Sequence, residues 1–172
     1  MGDVAENLRE DNDRQRVSEA EGKAAERALV EAAQNGDKRA FGQLIRMHQK
    51  RLYRYIYGML GSVDATEDVV QESFVKAYQN IRNFRAEYDF YPWLSTIARN
   101  TAYNLIRKEE KSESLDALAE KGYDPESVDL GPLEKLISAE GKKRFYQALQ
   151  ALPVQHRVAF VLRHFEGMNY AD

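Results

Sequence analysis

The sequence predicts an all-α protein: two small helical domains joined by a flexible linker, the second an incomplete helix-turn-helix domain. Three observations carry this expectation. Apolar residues recur at steps of three and four along several segments, the spacing of one-sided helices. Gly122, Pro125, Gly131 and Pro132 gather in the most acidic stretch of the chain, as expected of a tether. With 172 residues, 43% of them apolar, the chain can fill one ordinary core or two small ones.

The elements follow in order. Residues 1–26 hold Asp3, Glu6, Glu10, Asp11 and Asp13 and few apolar groups, so they read as an acidic tail, disordered or marginally helical. A short helix over Ala28 to Gln34 comes next and ends at Asn35-Gly36. From Asp37 to Leu60, Phe41, Leu44, Ile45, His48, Leu52, Tyr55, Ile56 and Met59 form one stripe, with Asp37 as cap and Gly58 and Gly61 marking the end. His48 falls on that stripe and reads as a packed side chain. A helix from about Asp64 to Ile81 buries Val70, Phe74, Ala77, Tyr78 and Ile81 and turns Asp64, Glu67, Asp68, Gln71 and Glu72 outward. Early carboxylates suit a helix dipole, but that reason fades at Gln71 and Glu72.

Residues 83–91 read as a loop crowded with aromatic rings. Pro92 then starts a helix from Trp93 to about Lys108. Leu94, Ile97, Ala98, Thr101 and Leu105 face its inner side; Thr96, Arg99, Asn100, Tyr103, Asn104 and Arg107 face out. Arginines for phosphates, rings for unstacked bases and an Asn amide for a base edge are the groups that hold single-stranded nucleic acid. Residues 27–108 thus form the first body, 109–131 the acidic linker and 132–172 the second body. In the latter, Leu133 to Leu152 suggests one helix, with a break at Gly141 left open, and Pro153 begins another that buries Val158, Val161, Leu162 and Phe165. Gly167 and Asn169 are placed to cap the turn and open a further helix at Tyr170.

Composition excludes several classes of function. The chain has no cysteine, which removes disulfides, thiol catalysis and cysteine-held metals, and His48, His156 and His164 form no pair at helical spacing. No metal, cofactor or nucleophile-base constellation is expected, and the protein is read as a non-enzyme. No apolar run approaches the roughly 18 to 20 residues of a membrane span, so a soluble, cytoplasmic protein without membrane insertion is expected. The net charge of −3 conceals alternation: 27–58 carries +5 and 82–108 carries +3, while 59–81 carries −3 and 109–140 carries −7. The basic blocks coincide with the candidate nucleic-acid face.

Several strings together resemble an extracytoplasmic-function (ECF) sigma factor of bacterial RNA polymerase. They are Asn35-Gly36-Asp37 with Ala40-Phe41; Asp68-Val69-Val70-Gln71-Glu72-Ser73-Phe74-Val75-Lys76-Ala77-Tyr78; Phe90-Tyr91-Pro92-Trp93-Leu94 through Ile97-Ala98-Arg99-Asn100; Leu149-Gln150-Ala151-Leu152-Pro153 with Arg157; and Glu166-Gly167-Met168-Asn169-Tyr170-Ala171-Asp172. The resemblance implies that Asp68, Gln71, Glu72 and Phe74 dock on the coiled coil of the polymerase β′ subunit. It implies that Phe84 to Trp93, Phe90 among them, hold the melted −10 non-template strand and that Asn100 recognises an extruded base. Residues around 142–165 would meet the β flap. Arg85, Arg99, Arg107 and Lys108 are assigned to phosphates on charge and position. An anti-sigma factor is a further implied partner.

Two readings stay open at this point. One is a promoter-recognising initiation factor; the other is a sigma-like mimic that binds an anti-sigma factor without engaging DNA. The chain stops at Asp172 within the fourth conserved region, before a recognition helix, and is expected to be truncated there.

Overall fold

The computed structural model describes residues 2–113 and 139–165, and its regular elements are helical: α1 (Gly2–Gln34), α2 (Lys38–Leu60), α3 (Val63–Asn80), a 3-10 turn (Ile81–Asn83), α4 (Phe90–Glu113), α5 (Ala139–Gln150) and α6 (Val154–Phe165). The linker beyond Glu113, and Gly167 and Asn169, lie outside the described residues. Among the described residues no helix is long and apolar enough to cross a membrane.

The local signals act as their chemistry dictates. Asp37 caps α2, its carboxylate accepting from the backbone N–H groups of Arg39 (2.8 Å) and Ala40 (3.2 Å). Gly61 ends that helix in the left-handed region at φ 68°, and its N–H donates to the Tyr57 carbonyl at 2.8 Å. Ser62 caps α3. The α2 stripe is buried as its spacing requires, with Leu44, Leu52, Ile56 and Met59 fully enclosed. His48 is packed between Phe90 and Tyr91, with ring centroids 5.6 and 5.5 Å away.

Several boundaries differ from the sequence reading. α1 is continuous from Gly2, so the acidic tail is helical: alanine, glutamate and arginine favour helix by intrinsic propensity, and Arg14, Arg16, Val17 and Ala20 are exposed along it. α4 begins at Phe90 and not at Pro92. Proline is tolerated there because N–H groups of a first turn have no partner within the helix. This draws Phe90 (1% exposed) and Tyr91 out of the expected loop and into the core. Tyr78, expected in the buried stripe of α3, is exposed, its ring 4.9 Å from Phe41. Gly141 does not interrupt α5.

α2 is the central helix, touching α1, α3, α4, α5 and α6. Tyr146 and Leu149 of α5 and Val158 and Val161 of α6 lie in the same buried cluster as the apolar residues of the first four helices. The seat is the C-terminal end of α2. Gly58 lets the helices approach closely there: a Cβ would meet Phe165 and Val161 at 3.0 Å, tighter than ordinary van der Waals contact. Arg157 closes the joint by donating to the carbonyls of Met59 (2.8 Å) and Leu152 (3.3 Å) and to Gln150 Oε1. Gln150 in turn donates to the Gly58 carbonyl at 3.3 Å. A cation at the carbonyl end of α2 is favoured by the helix dipole.

Candidate nucleic-acid interface

The interface is built where α3 runs through the 3-10 turn into α4. Residues 84–89 are held by short-range bonds: the Phe84 N–H donates to the Ile81 carbonyl at 3.1 Å, and the Tyr88 N–H to the Arg85 carbonyl at 3.0 Å. The turn carries Phe84 back onto Trp93, with ring centroids 4.8 Å apart and planes inclined by 34°. Phe90 packs beneath both, 5.8 Å from Phe84 and 5.6 Å from Trp93. Phe90 is 1% exposed and lies beneath the pair.

Trp93 is half-buried and divides two concavities. On one side lies an open pocket of about 520 Å³ lined by Lys76, Asn80, Asn83, Trp93, Asn100 and Asn104, among others. On the other, Phe84, Arg85, Tyr88 and Trp93 border a second hollow. Four carboxamides, each with donor and acceptor, around a tryptophan edge are matched to heterocyclic bases. Lys76 supplies charge at the rim, where its Nζ lies 2.7 Å from Glu72 Oε1 and donates to Thr101 Oγ1 at 3.0 Å.

The candidate residues therefore separate by position. Trp93 lines both concavities, Asn100 the first, and Phe84, itself only 8% exposed, the second. Arg85 is exposed, ion-paired with Glu87, and lies 5.5 Å from the centre of the Tyr88 ring. Arg107 and Lys108 are exposed two turns beyond Asn100, continuing the same side of α4, whereas Arg99 is half-buried and lines neither concavity. Asp68, Gln71 and Glu72 form an exposed polar face on α3, but Phe74 is 7% exposed and belongs to the core. Lys76, Asn80, Asn83 and Asn104 were not among the residues selected from sequence. Asn104 was within reach of such reasoning, since it stands one turn from Asn100; the other three come from across the α3–α4 turn, where helical periodicity gives no guide.

Comparison with known proteins places the chain in the sigma class of transcription proteins: residues 44–112, from α2 into α4, match the family model for Sigma-70 region 2. Over most of its length the chain is similar to the ECF RNA polymerase sigma-E factor of Haemophilus influenzae, at 38% identity covering 86% of this chain and 80% of that one. It is also 37% identical to the RNA polymerase sigma-H factor of Pseudomonas aeruginosa, covering 84% and 78%. Among solved structures it is similar to CnrH in complex with the cytosolic domain of CnrY, with TM-score 0.58 and 26% identity over 84% of this chain and 77% of that one. The chain belongs to the ECF RNA polymerase sigma factors.

Proposed function

We propose that the chain, bound to core RNA polymerase, selects promoters by holding the −10 non-template strand against the α3–α4 face. The carrying observation is the Trp93 ridge between two concavities, one of them ringed by Asn80, Asn83, Asn100 and Asn104. A base leaving the duplex loses stacking and pairing worth a few kcal/mol. An aromatic surface returns about 1 to 3 kcal/mol per stacked base, and carboxamide hydrogen bonds make the exchange depend on which base arrives. Arg85, Arg107 and Lys108 meet the backbone phosphates on this reading. The chain supplies binding energy and no bond chemistry, which is left to the polymerase.

For the polymerase, the exposed Asp68, Gln71 and Glu72 are proposed to meet the β′ coiled coil, and residues 142–165 the β flap. CnrH forms a solved complex with the cytosolic domain of CnrY. That similarity supports a protein partner for this chain too, and we assign that role to an anti-sigma factor. The test is retention of single strands by the complex with core polymerase, using a pool of short strands randomised at its central positions. Sequencing of the retained strands is expected to reveal a preferred base, lost in Asn100→Ala. Binding of polymerase without retention of any strand would instead favour the sigma-like mimic.

A further inference from the structure

We infer that α1 is a splint for the strand-holding turn and that Gln34 is its principal positioning residue, an inference that rests on the function proposed above. Three side chains on one side of α1 reach the turn in antiparallel order. Gln34 Nε2 donates to the Phe84 carbonyl at 2.5 Å and to the Ile81 carbonyl at 2.9 Å. Arg27 donates to the Glu87 carbonyl at 3.4 Å, and Lys23 Nζ is 3.1 Å from Asp89 Oδ2. As the α1 number falls from 34 to 23, the turn number rises from 81 to 89. The turn is thus held along its whole length by a helix that makes none of the proposed contacts with DNA.

The bonds from α1 add to what the turn supplies for itself. Between Asn83 and Phe90 it forms no helix, and its backbone is tied by the bond from the Phe84 N–H to the Ile81 carbonyl and the bond from the Tyr88 N–H to the Arg85 carbonyl. The Phe84 ring packs on Trp93 and lines the second hollow, so the amide that fixes its carbonyl also fixes the wall of that hollow. Gln34 lies outside residues 44–112, the part matched by the region 2 model. Part-buried bonds of this kind hold position better than the surface pair at Lys23, whose partners are both well exposed to solvent.

The experiment compares Gln34→Met, which keeps the length of the side chain but removes both donors, with the unmodified chain. Each is bound to core RNA polymerase and offered the same randomised strand pool. Gln34→Met is expected to lower strand affinity roughly three- to thirtyfold and to blur base preference, with polymerase affinity unchanged. Lys23→Ala, at an exposed position where folding is not at stake, is expected to lower strand affinity by no more than about fivefold. Strand affinity and base preference unchanged in Gln34→Met would overturn the splint, as would loss of strand and polymerase affinity in equal measure, the mark of general unfolding. Failure of the unmodified complex to retain any strand would overturn the functional reading and the splint with it.

Discussion

Asn100 and Arg157 show how much a single side chain can be asked to do in this protein. Asn100 is exposed and contributes little to folding, so Asn100→Ala is expected to leave thermal stability unchanged. A well-made bidentate amide contact discriminates between bases by about 1 to 3 kcal/mol. The variant should therefore shift base preference in strand selection more than total affinity, which phosphates dominate. Arg157 is the opposite case. Burial lowers the pKa of its guanidinium from the ordinary arginine value, and the group is held by the carbonyls of Met59 and Leu152 and by Gln150. Arg157→Ala removes the donor to these acceptors, and urea unfolding is expected to show a loss of about 1 to 3 kcal/mol. The sequence marked Arg157 only as part of a string with Gln150 and Leu152; its partner Met59 lies 98 positions away, a separation that no local pattern reveals.

At the scale of helices, the contact of α6 with α2 depends on the missing side chain at Gly58. Gly58→Val places methyl groups where Val161 and Phe165 already stand, and overpacking of this kind costs about 1 to 3 kcal/mol. Hydrogen exchange is expected to speed up in α5 and α6 while the cores of α3 and α4 keep their protection. Uniform acceleration across all helices would contradict a joint confined to that seat. The sequence placed Gly58 at a helix end, and it stands in the last turn of α2, but periodicity gave no sign that the position also permits close approach of α6. By contrast Asp37 and Gly61 were legible, because a cap and a left-handed terminus are chosen by chemistry within a few residues of chain. The start of α4 was less so: Pro92 is compatible with several places in a first turn, and the burial of Phe90 and Tyr91 decides among them only once α2 is in position.

Across the whole molecule, the helical class and the face of α4 could be read from spacing, since 3.6-residue periodicity reports which side of a helix is covered. It does not report what covers it, and so the seating of α5 and α6 on α2 was out of reach. Nor did it disclose the convergence of Asn80, Asn83, Asn100 and Asn104, which arises from the turn between α3 and α4. The net charge of −3 is similarly uninformative beside its distribution, since residues 82–108, which hold most of the proposed nucleic-acid face, form a basic block. Strand retention should accordingly weaken as salt rises, with a log–log slope of roughly 0.7 per phosphate neutralised. Neutralising both Arg107 and Lys108 should flatten that slope by up to about 1.4, with little change in base preference; an unchanged slope would remove these residues from the phosphate contacts.

The central claim is that Trp93 and the carboxamides beside it hold an opened promoter strand while the chain is bound to polymerase. Its most direct test is reconstitution of the chain and its Trp93→Ala variant with core RNA polymerase on a promoter fragment melted across the −10 positions, with polymerase and non-template strand retention measured together. Both proteins are expected to bind polymerase, with the strand retained by the unmodified chain and released by Trp93→Ala. Equal strand retention by both, or no binding of polymerase by the unmodified chain, would contradict the claim.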